Sequence, residues 1–116
     1  MIKNKGYREL LYQLYGDWDG RPNDKVIESC LGETDCAREL EKRIDHLLDK
    51  LSFEEGQVLR YRFGLGVERL TQEQIAATLV TGNRSLVQKL ERKGLSKLRH
   101  PIRSRGIGKV LLGRRD

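Results

Sequence analysis

The sequence predicts an all-α protein with a helical N-terminal segment and a helix-turn-helix domain. Apolar residues recur at spacings of three and four in each clear segment, which is the period of an amphipathic helix. Capping residues precede several of these segments, and glycines follow them. We therefore expect a helical segment over 1–50 that packs or binds a partner, a helix-turn-helix domain over 51–103, and a basic tail over 104–116.

Three helices are predicted in the N-terminal segment. The first ends at Gly16, and the second runs over 24–31. The third begins at a cap supplied by Thr34 or Asp35. Its apolar stripe consists of Leu40, Ile44, Leu47, Leu48 and Leu51. Trp18 follows the first helix in a turn, where it either staples two helices together or anchors a protein partner.

The two cysteines, Cys30 and Cys36, are separated by five residues. The chain has no second cysteine pair and no histidine at a metal-ligand spacing from them. The pattern therefore supports neither a zinc site nor a disulfide framework. We expect reduced, partly buried thiols at both positions.

Capping signals define the helices of the second half. Ser52 is a suitable N-cap for a helix that ends at Gly64, and carboxylates follow Ser52 in the first turn, where the helix dipole favours them. Thr71 caps the next helix, and Gln74, three residues later, completes a capping box. Small Ala76 on the inner face of this helix allows another helix to cross closely.

The turn of the helix-turn-helix is expected to be one residue longer than usual. A turn of the usual three residues would place Lys89 at an inward position, where burying an unpaired ammonium costs several kcal/mol. One additional residue brings Val87 and Leu90 inward instead. Gly82 then takes a positive φ, and Asn83 caps the following helix.

Positive charge is concentrated in the second half. The formal net charge is +6, with nine basic and eleven acidic residues in 1–50 but fourteen basic and six acidic residues in 51–116. Such a distribution suits a polyanion, because each neutralised phosphate releases condensed counterions. No apolar run reaches the roughly 18 residues of a membrane span, and the N-terminus lacks the apolar centre of a signal peptide. We expect a cytoplasmic protein that binds nucleic acid and no membrane.

Three stretches resemble the fourth conserved region of bacterial primary-type sigma factors: LSFEEGQVLRYRFGL, LTQEQIAATL and LERKGLSKLRHPIRSR. The resemblance covers about 50 of the 116 residues. In the family this region binds the −35 promoter element, which implies a recognition helix in the major groove of double-stranded DNA. It also implies a second surface, formed mainly by the helix before the helix-turn-helix and the C-terminal part, that grips the β-flap of core RNA polymerase.

The resemblance assigns functional positions residue by residue. The residues expected to read bases are Arg84, Ser85, Gln88 and Lys89. Those expected at the DNA backbone are Arg60, Thr71, Asn83, Arg92, Lys93, Lys97 and Arg99. The family usually has Glu, Arg and Gln at the last three reading positions, where this chain has Ser, Gln and Lys. Because Gln pairs with adenine and Arg or Lys with guanine, the preferred sequence should differ from the usual −35 hexamer.

Three functional hypotheses stay open at this point. In the first, the chain recruits or redirects RNA polymerase, either as half of a split sigma factor or as a phage- or mobile-element-type regulator. The split form needs a separate subunit for −10 recognition, because residues 1–50 are too short and too acidic to supply it. In the second, the chain binds RNA polymerase or a sigma partner without reading DNA. In the third, it is a dimeric regulator without polymerase contact.

No catalytic, cofactor or metal site is expected. His46 and His100 are far apart in sequence, and neither adjoins a Ser or Cys nucleophile pattern. The GIGK stretch at 106–109 lacks the spacing of a phosphate-binding loop and a preceding strand. The sequence therefore indicates a protein that is not an enzyme.

Overall fold

The computed structural model describes residues 5–17, 21–79, 82–104 and 110. These residues form six α-helices and no strand, which confirms the all-α prediction. The helices are α1 (Lys5–Tyr15), α2 (Asp24–Gly32), α3 (Thr34–Asp49), α4 (Phe53–Phe63), α5 (Gln72–Thr78) and α6 (Arg84–Ser104). None of them combines the length and the apolarity that crossing a membrane requires. Trp18 lies outside the described residues, as does most of the predicted basic tail.

The predicted N-caps of α4 and α5 are confirmed, and each belongs to a capping box. The Ser52 hydroxyl accepts the Glu55 backbone N–H, while a Glu55 carboxylate oxygen accepts the Ser52 N–H, both at 3.2 Å. Thr71 and Gln74 exchange the same pair of hydrogen bonds at the start of α5. Helix α4 ends as predicted at Gly64, whose φ of 70° lies in the left-handed region that favours glycine.

The prediction of a Thr34 or Asp35 cap for α3 is wrong. Glu33 is the N-cap, and its side chain makes no capping hydrogen bond. The reason is the tight corner between α2 and α3, where Glu33 alone separates the two helices and serves as C-cap of one and N-cap of the other. Thr34 is already the first residue of α3, so its hydroxyl is past the capping position.

The prediction of reduced cysteines is also wrong, because Cys30 and Cys36 form a disulfide with an S–S distance of 2.10 Å. Cys30 lies in the last turn of α2 and Cys36 in the first turn of α3, on either side of the corner at Glu33. The corner brings their Cα atoms to 5.2 Å, which is within the range that a disulfide spans. Both side chains are buried, so the bridge is part of the protein interior.

Two hydrophobic clusters hold the helices together. The larger cluster contains most of the buried side chains of α1, α2 and α3, together with Leu59 and Phe63 of α4 and buried residues from the C-terminal half of α6. The smaller cluster consists of Val58, Ile75, Ala76 and Val87. Helices α4 and α6 contribute to both clusters, which joins the helix-turn-helix to the N-terminal helices. The division into segments at residue 50 stays a prediction.

Three tyrosines tie α1 to other helices, and one of them, Tyr12, donates its hydroxyl to a Glu28 carboxylate oxygen of α2 at 2.8 Å. The Tyr7 hydroxyl donates to an Asp45 carboxylate oxygen of α3 at 2.9 Å. The Tyr15 hydroxyl donates to the Ile102 carbonyl oxygen of α6 at 3.3 Å. Burial raises the pKa of Tyr15 to about 12, so its hydroxyl keeps the proton it donates to a higher pH than an exposed tyrosine would.

Close helix approach depends on glycines at two contacts with α4. A Cβ added at Gly6 of α1 would lie 2.1 Å from the Phe63 carbonyl oxygen at the end of α4. A Cβ added at Gly94 of α6 would lie 2.8 Å from a Leu59 methyl carbon of α4. The obstacle at Gly6 is backbone, which cannot rotate away, whereas the obstacle at Gly94 is a side chain. The α1–α4 contact is therefore the stricter of the two.

Replacing Gly6 by Ala should destabilise the protein by about 1–3 kcal/mol, because the new methyl group forces α1 away from α4. Urea denaturation followed by circular dichroism measures the change. Gly32→Ala is the matched control, since an added Cβ there meets nothing within 4 Å. The control should be neutral or stabilising by up to about 1 kcal/mol. Equal stabilities of the two variants would contradict the proposed backbone clash.

Candidate nucleic-acid interface

The connection between α5 and α6 has the predicted glycine and cap. Gly82 has a φ of 60°, and its N–H donates to the Ala76 carbonyl oxygen at 3.2 Å. The Asn83 side-chain oxygen accepts the N–H of Ser85 at 2.9 Å and, more weakly, that of Leu86 at 3.4 Å. These bonds satisfy donors at the exposed start of α6. The other two residues of the turn, at 80 and 81, lie outside the described part of the chain.

The predicted register of α6 is confirmed. Val87 is fully buried in the smaller cluster, and Leu90 packs against that cluster while partly exposed. Lys89 is exposed, so its ammonium is not buried among apolar side chains. Leu86 is 39% exposed, as expected for a residue outside the inward face. The longer turn thus directs apolar residues inward and polar residues outward.

All four predicted base-reading residues are exposed near the N-terminus of α6: Arg84, Ser85, Gln88 and Lys89. Two of them are held by α5. The Gln72 side-chain oxygen accepts from Arg84 Nε at 3.1 Å and from Gln88 Nε2 at 3.0 Å. A Glu73 carboxylate oxygen lies 3.5 Å from the same Arg84 nitrogen, with both side chains more than half exposed. The two helices therefore share a polar contact on the exposed side.

Gln72 and Glu73 are site residues that the sequence analysis missed. In the sequence they are ordinary polar residues in the first turn of a capped helix, and Glu73 is the expected acidic residue there. Their contact with Arg84 and Gln88 depends on how α5 crosses α6. The spacing of residues within either helix does not predict how the two helices cross.

Two of the cations predicted to contact the DNA backbone are engaged with carboxylates of the protein. Arg60 of α4 donates to Asp45 at 3.2 Å and to Asp49 at 2.9 Å, both on α3, and its side chain is 23% exposed. Lys97 of α6 donates to both carboxylate oxygens of Glu55, at 2.9 and 3.0 Å. Arg60 thus helps to fasten α3 to α4. A phosphate contact by Arg60 or Lys97 stays a prediction.

The other predicted backbone residues are exposed: Thr71, Asn83, Arg92, Lys93 and Arg99. Thr71 and Asn83 are occupied as helix caps, whereas the three cations extend along α6. Glu91 is the single acidic residue of α6, and it lies 3.2 Å from Arg62 of α4. The exposed surface of α6 is therefore strongly basic.

The Glu55–Lys97 pair gives the folded protein a pH-dependent contact. The hydrogen bond from Lys97 is the main cause that lowers the pKa of Glu55, and bonds to Ser52 act in the same direction. Burial opposes this shift, since the Glu55 side chain is only 5% exposed. The lowered pKa means that the ionised carboxylate stabilises the fold.

Replacing Lys97 by Met should reduce stability by a few tenths to about 1 kcal/mol near neutral pH, a modest effect because the lysine is half exposed. The pKa of Glu55 is lower in the folded than in the unfolded chain. Its contribution is therefore fully present above its ordinary pKa of 4.5 and is lost as the pH falls through the folded value. Urea denaturation at several pH values should show the difference from wild type shrinking under acid conditions. Lys93→Met is the control, and a difference that does not change with pH would contradict the pairing.

Comparison with known proteins identifies the helix-turn-helix. Residues 47–100 match the family model of sigma-70 region 4. These 54 of the 116 residues are thus similar to sigma-70 region 4. They contain α4, α5 and most of α6, which confirms both the resemblance and the helix-turn-helix fold of this part of the chain. Region 4 is a non-enzymatic, regulatory domain of transcription.

Two curated relatives are RNA polymerase sigma factors SigA, from Lactococcus lactis subsp. cremoris and from Lactococcus lactis subsp. lactis strain IL1403. Each is 35% identical over 84 residues, which is 72% of this chain. The match covers only 23% of the first relative and 22% of the second. The chain therefore spans less than a quarter of the sigma factors it matches. No solved structure matches it.

The part of the chain that the structure describes contains no group of three or more His, Cys, Asp or Glu side chains that could hold a metal ion. His46 and His100 are both exposed, and they lie on different helices. The GIGK stretch lies outside the described residues.

Proposed function

We propose that this protein is a sequence-specific DNA-binding transcription factor of the region 4 type that recruits or redirects RNA polymerase at a −35-like promoter element. The observation that carries the proposal is the exposed face of α6, where four polar side chains suited to base edges precede a row of cations. Helix α5 supports α6 from behind through Ile75 and Ala76, which pack on Val87. This arrangement is the one in which a recognition helix enters the major groove.

The polar and charged residues of α6 have two proposed roles, which are base reading and phosphate contact. Arg84 and Lys89 can donate to guanine, and Gln88 offers the paired donor and acceptor that adenine requires. Arg92, Lys93 and Arg99 follow toward the C-terminus, where they would contact phosphates and fix the position of the helix. DNA binding of this kind implies that the protein works in the cytoplasm.

Replacing Arg84, Gln88 and Lys89 together by Ala should lower affinity for a selected duplex at least about tenfold and remove preference for its sequence. The slope of log affinity against log salt should change little, because the two cations lost are assigned to bases rather than to phosphates. Fluorescence anisotropy with labelled duplex DNA measures both. The control is Arg38→Ala with Lys42→Ala, which removes two exposed cations from α3. Salt-independent affinity, or an equal loss in the control, would refute DNA recognition by α6.

Polymerase binding requires an accessible surface on α4 or the C-terminal part of α6, and most apolar residues there are already covered. Leu59, Phe63 and Leu98 lie in the larger cluster beneath the N-terminal helices. Phe53, in the first turn of α4, is different, because it is 74% exposed and is the most exposed large apolar side chain among the described residues. We therefore place the proposed β-flap contact at Phe53.

Replacing Phe53 by Ser should weaken binding to core RNA polymerase about tenfold or more, since an exposed aromatic side chain is a common anchor of protein interfaces. Fluorescence anisotropy of the labelled chain with core polymerase, at fixed moderate salt and without DNA, measures the change. Val67→Ser is the control, because Val67 is also exposed but lies in the loop after α4. If Phe53→Ser binds as tightly as wild type, the contact lies elsewhere.

The two experiments together discriminate the functional alternatives. A recruiting factor binds both DNA and core polymerase, and a separate subunit then supplies −10 recognition in the split-sigma form. If the protein is an interaction module, the wild-type chain shows no preference for a DNA sequence. The Arg84, Gln88 and Lys89 triple variant then still binds polymerase. A freestanding regulator selects a DNA sequence but does not bind core polymerase.

A further inference from the structure

We propose that Gln72 is a positioning residue that sets the orientation of Arg84 and Gln88, so that these two side chains dominate sequence preference. The inference rests on the proposed function, because it concerns how the same face of α6 reads DNA. Gln72 itself is the first residue of α5 and need not touch a base. Its role follows from its hydrogen bonds to the two residues on α6.

The chemistry of the contact fixes which atoms take part. Arg84 can only donate, so the Gln72 atom at 3.1 Å from Arg84 Nε must be the side-chain oxygen rather than the nitrogen. The same oxygen lies 3.0 Å from a side-chain atom of Gln88, which must then be the Gln88 nitrogen. One carbonyl oxygen has two lone pairs, and here each receives one donor. The orientation of both amides is thereby determined.

This arrangement leaves the appropriate groups free for bases. Gln88 uses one N–H on Gln72 and keeps its second N–H and its oxygen, the pair that adenine N7 and N6–H require. Arg84 uses Nε–H and keeps the N–H groups of its two terminal nitrogens, which can donate to guanine O6 and N7. While bound to Gln72, Arg84 and Gln88 therefore keep all the donors and acceptors that they need to pair with a base.

Gln72 is better anchored than the residues it holds. It is half-buried, whereas Arg84 and Gln88 are exposed. It follows Thr71, whose capping box fixes the start of α5, and α5 packs on α6 through the smaller cluster. An anchored acceptor restricts the rotamers of two long side chains before DNA arrives, which lowers the entropic cost of ordering them.

Ser85 and Lys89 have no such contact with Gln72. We therefore expect the base preference to be stronger at the positions read by Arg84 and Gln88 than at those read by Ser85 and Lys89. Arg84 and Gln88 are four residues apart, or about 6 Å along the helix axis. Base pairs are about 3.4 Å apart. The two strongest preferences should therefore be a guanine and an adenine about two base-pair steps apart, on either strand.

Gln72→Met tests the inference, because Met has similar length and volume but no oxygen to accept the two bonds. Selection from randomised duplex DNA with the full chain gives the preferred sequence of wild type, and competition anisotropy gives the preference at each position. Gln72→Met should reduce preference about tenfold at the two positions lost in Arg84→Ala and Gln88→Ala. Binding to unrelated DNA and the melting temperature should stay close to wild type.

Two further variants distinguish the effect of losing the Gln72 hydrogen bonds from the effect of changing the local charge. Gln72→Glu keeps an acceptor and should retain the sequence preference while total affinity falls, because it adds a negative charge. Glu73→Gln removes the acidic neighbour of Arg84 but leaves Gln72 in place, and it should also retain the preference. In Gln88→Ala, adding Gln72→Met should cause no further loss at the position that Gln88 reads.

A measurement without DNA tests the contact itself. Nuclear magnetic resonance of the labelled chain should show slowed exchange of the Arg84 Nε–H and a shifted Gln88 side-chain amide, both reverting in Gln72→Met. If wild type selects no sequence, the proposed function fails, and base positioning by Gln72 is overturned with it. If wild type selects a sequence and Gln72→Met keeps the same preference, only the role of Gln72 is overturned.

Discussion

Helix α6 packs into both hydrophobic clusters, so the position of its exposed N-terminal face depends on contacts in both halves of the helix. Val87 fixes the N-terminal half against α4 and α5, while Leu98 and Ile102 fix the C-terminal half against the N-terminal helices. Adjacent residues of α4 divide in the same way, with Val58 in one cluster and Leu59 in the other. The helix-turn-helix is thus held by two hydrophobic clusters, and the larger of them extends well beyond its own three helices.

The cations of this protein fall into two groups. Some form ion pairs with carboxylates across helix contacts, and others are exposed on α6. Arg60 and Lys97 neutralise carboxylates across helix contacts, and Arg62 does the same with Glu91. Arg92 and Lys93 are exposed on α6. The formal charge of the second half therefore overstates what a polyanion would meet, and the pattern of pairing concentrates the effective charge along one helix.

Local sequence signals predicted the elements whose causes are local. The caps at Ser52 and Thr71, the end of α4 at Gly64 and the long turn at Gly82 all follow from side chains within a few residues of one another. The disulfide and the shared cap at Glu33 depend on how sharply the chain turns between two helices, which spacing alone left undetermined. The Gln72 contact depends on the crossing of two helices and required the three-dimensional structure. The assignments of Arg60 and Lys97 came from the family resemblance, which carried no information about their carboxylate neighbours.

Because α6 is long, a small tilt of the helix produces a large displacement at its N-terminus. From Leu98 to Arg84 the helix extends about 21 Å, at 1.5 Å per residue. A tilt of about 5° around its buried end would move Arg84 by nearly 2 Å, which is more than the tolerance of a hydrogen bond. Mutational sensitivity should therefore reach deep into the interior, and conservative changes around Leu98 or Tyr15 would alter recognition without touching the reading face.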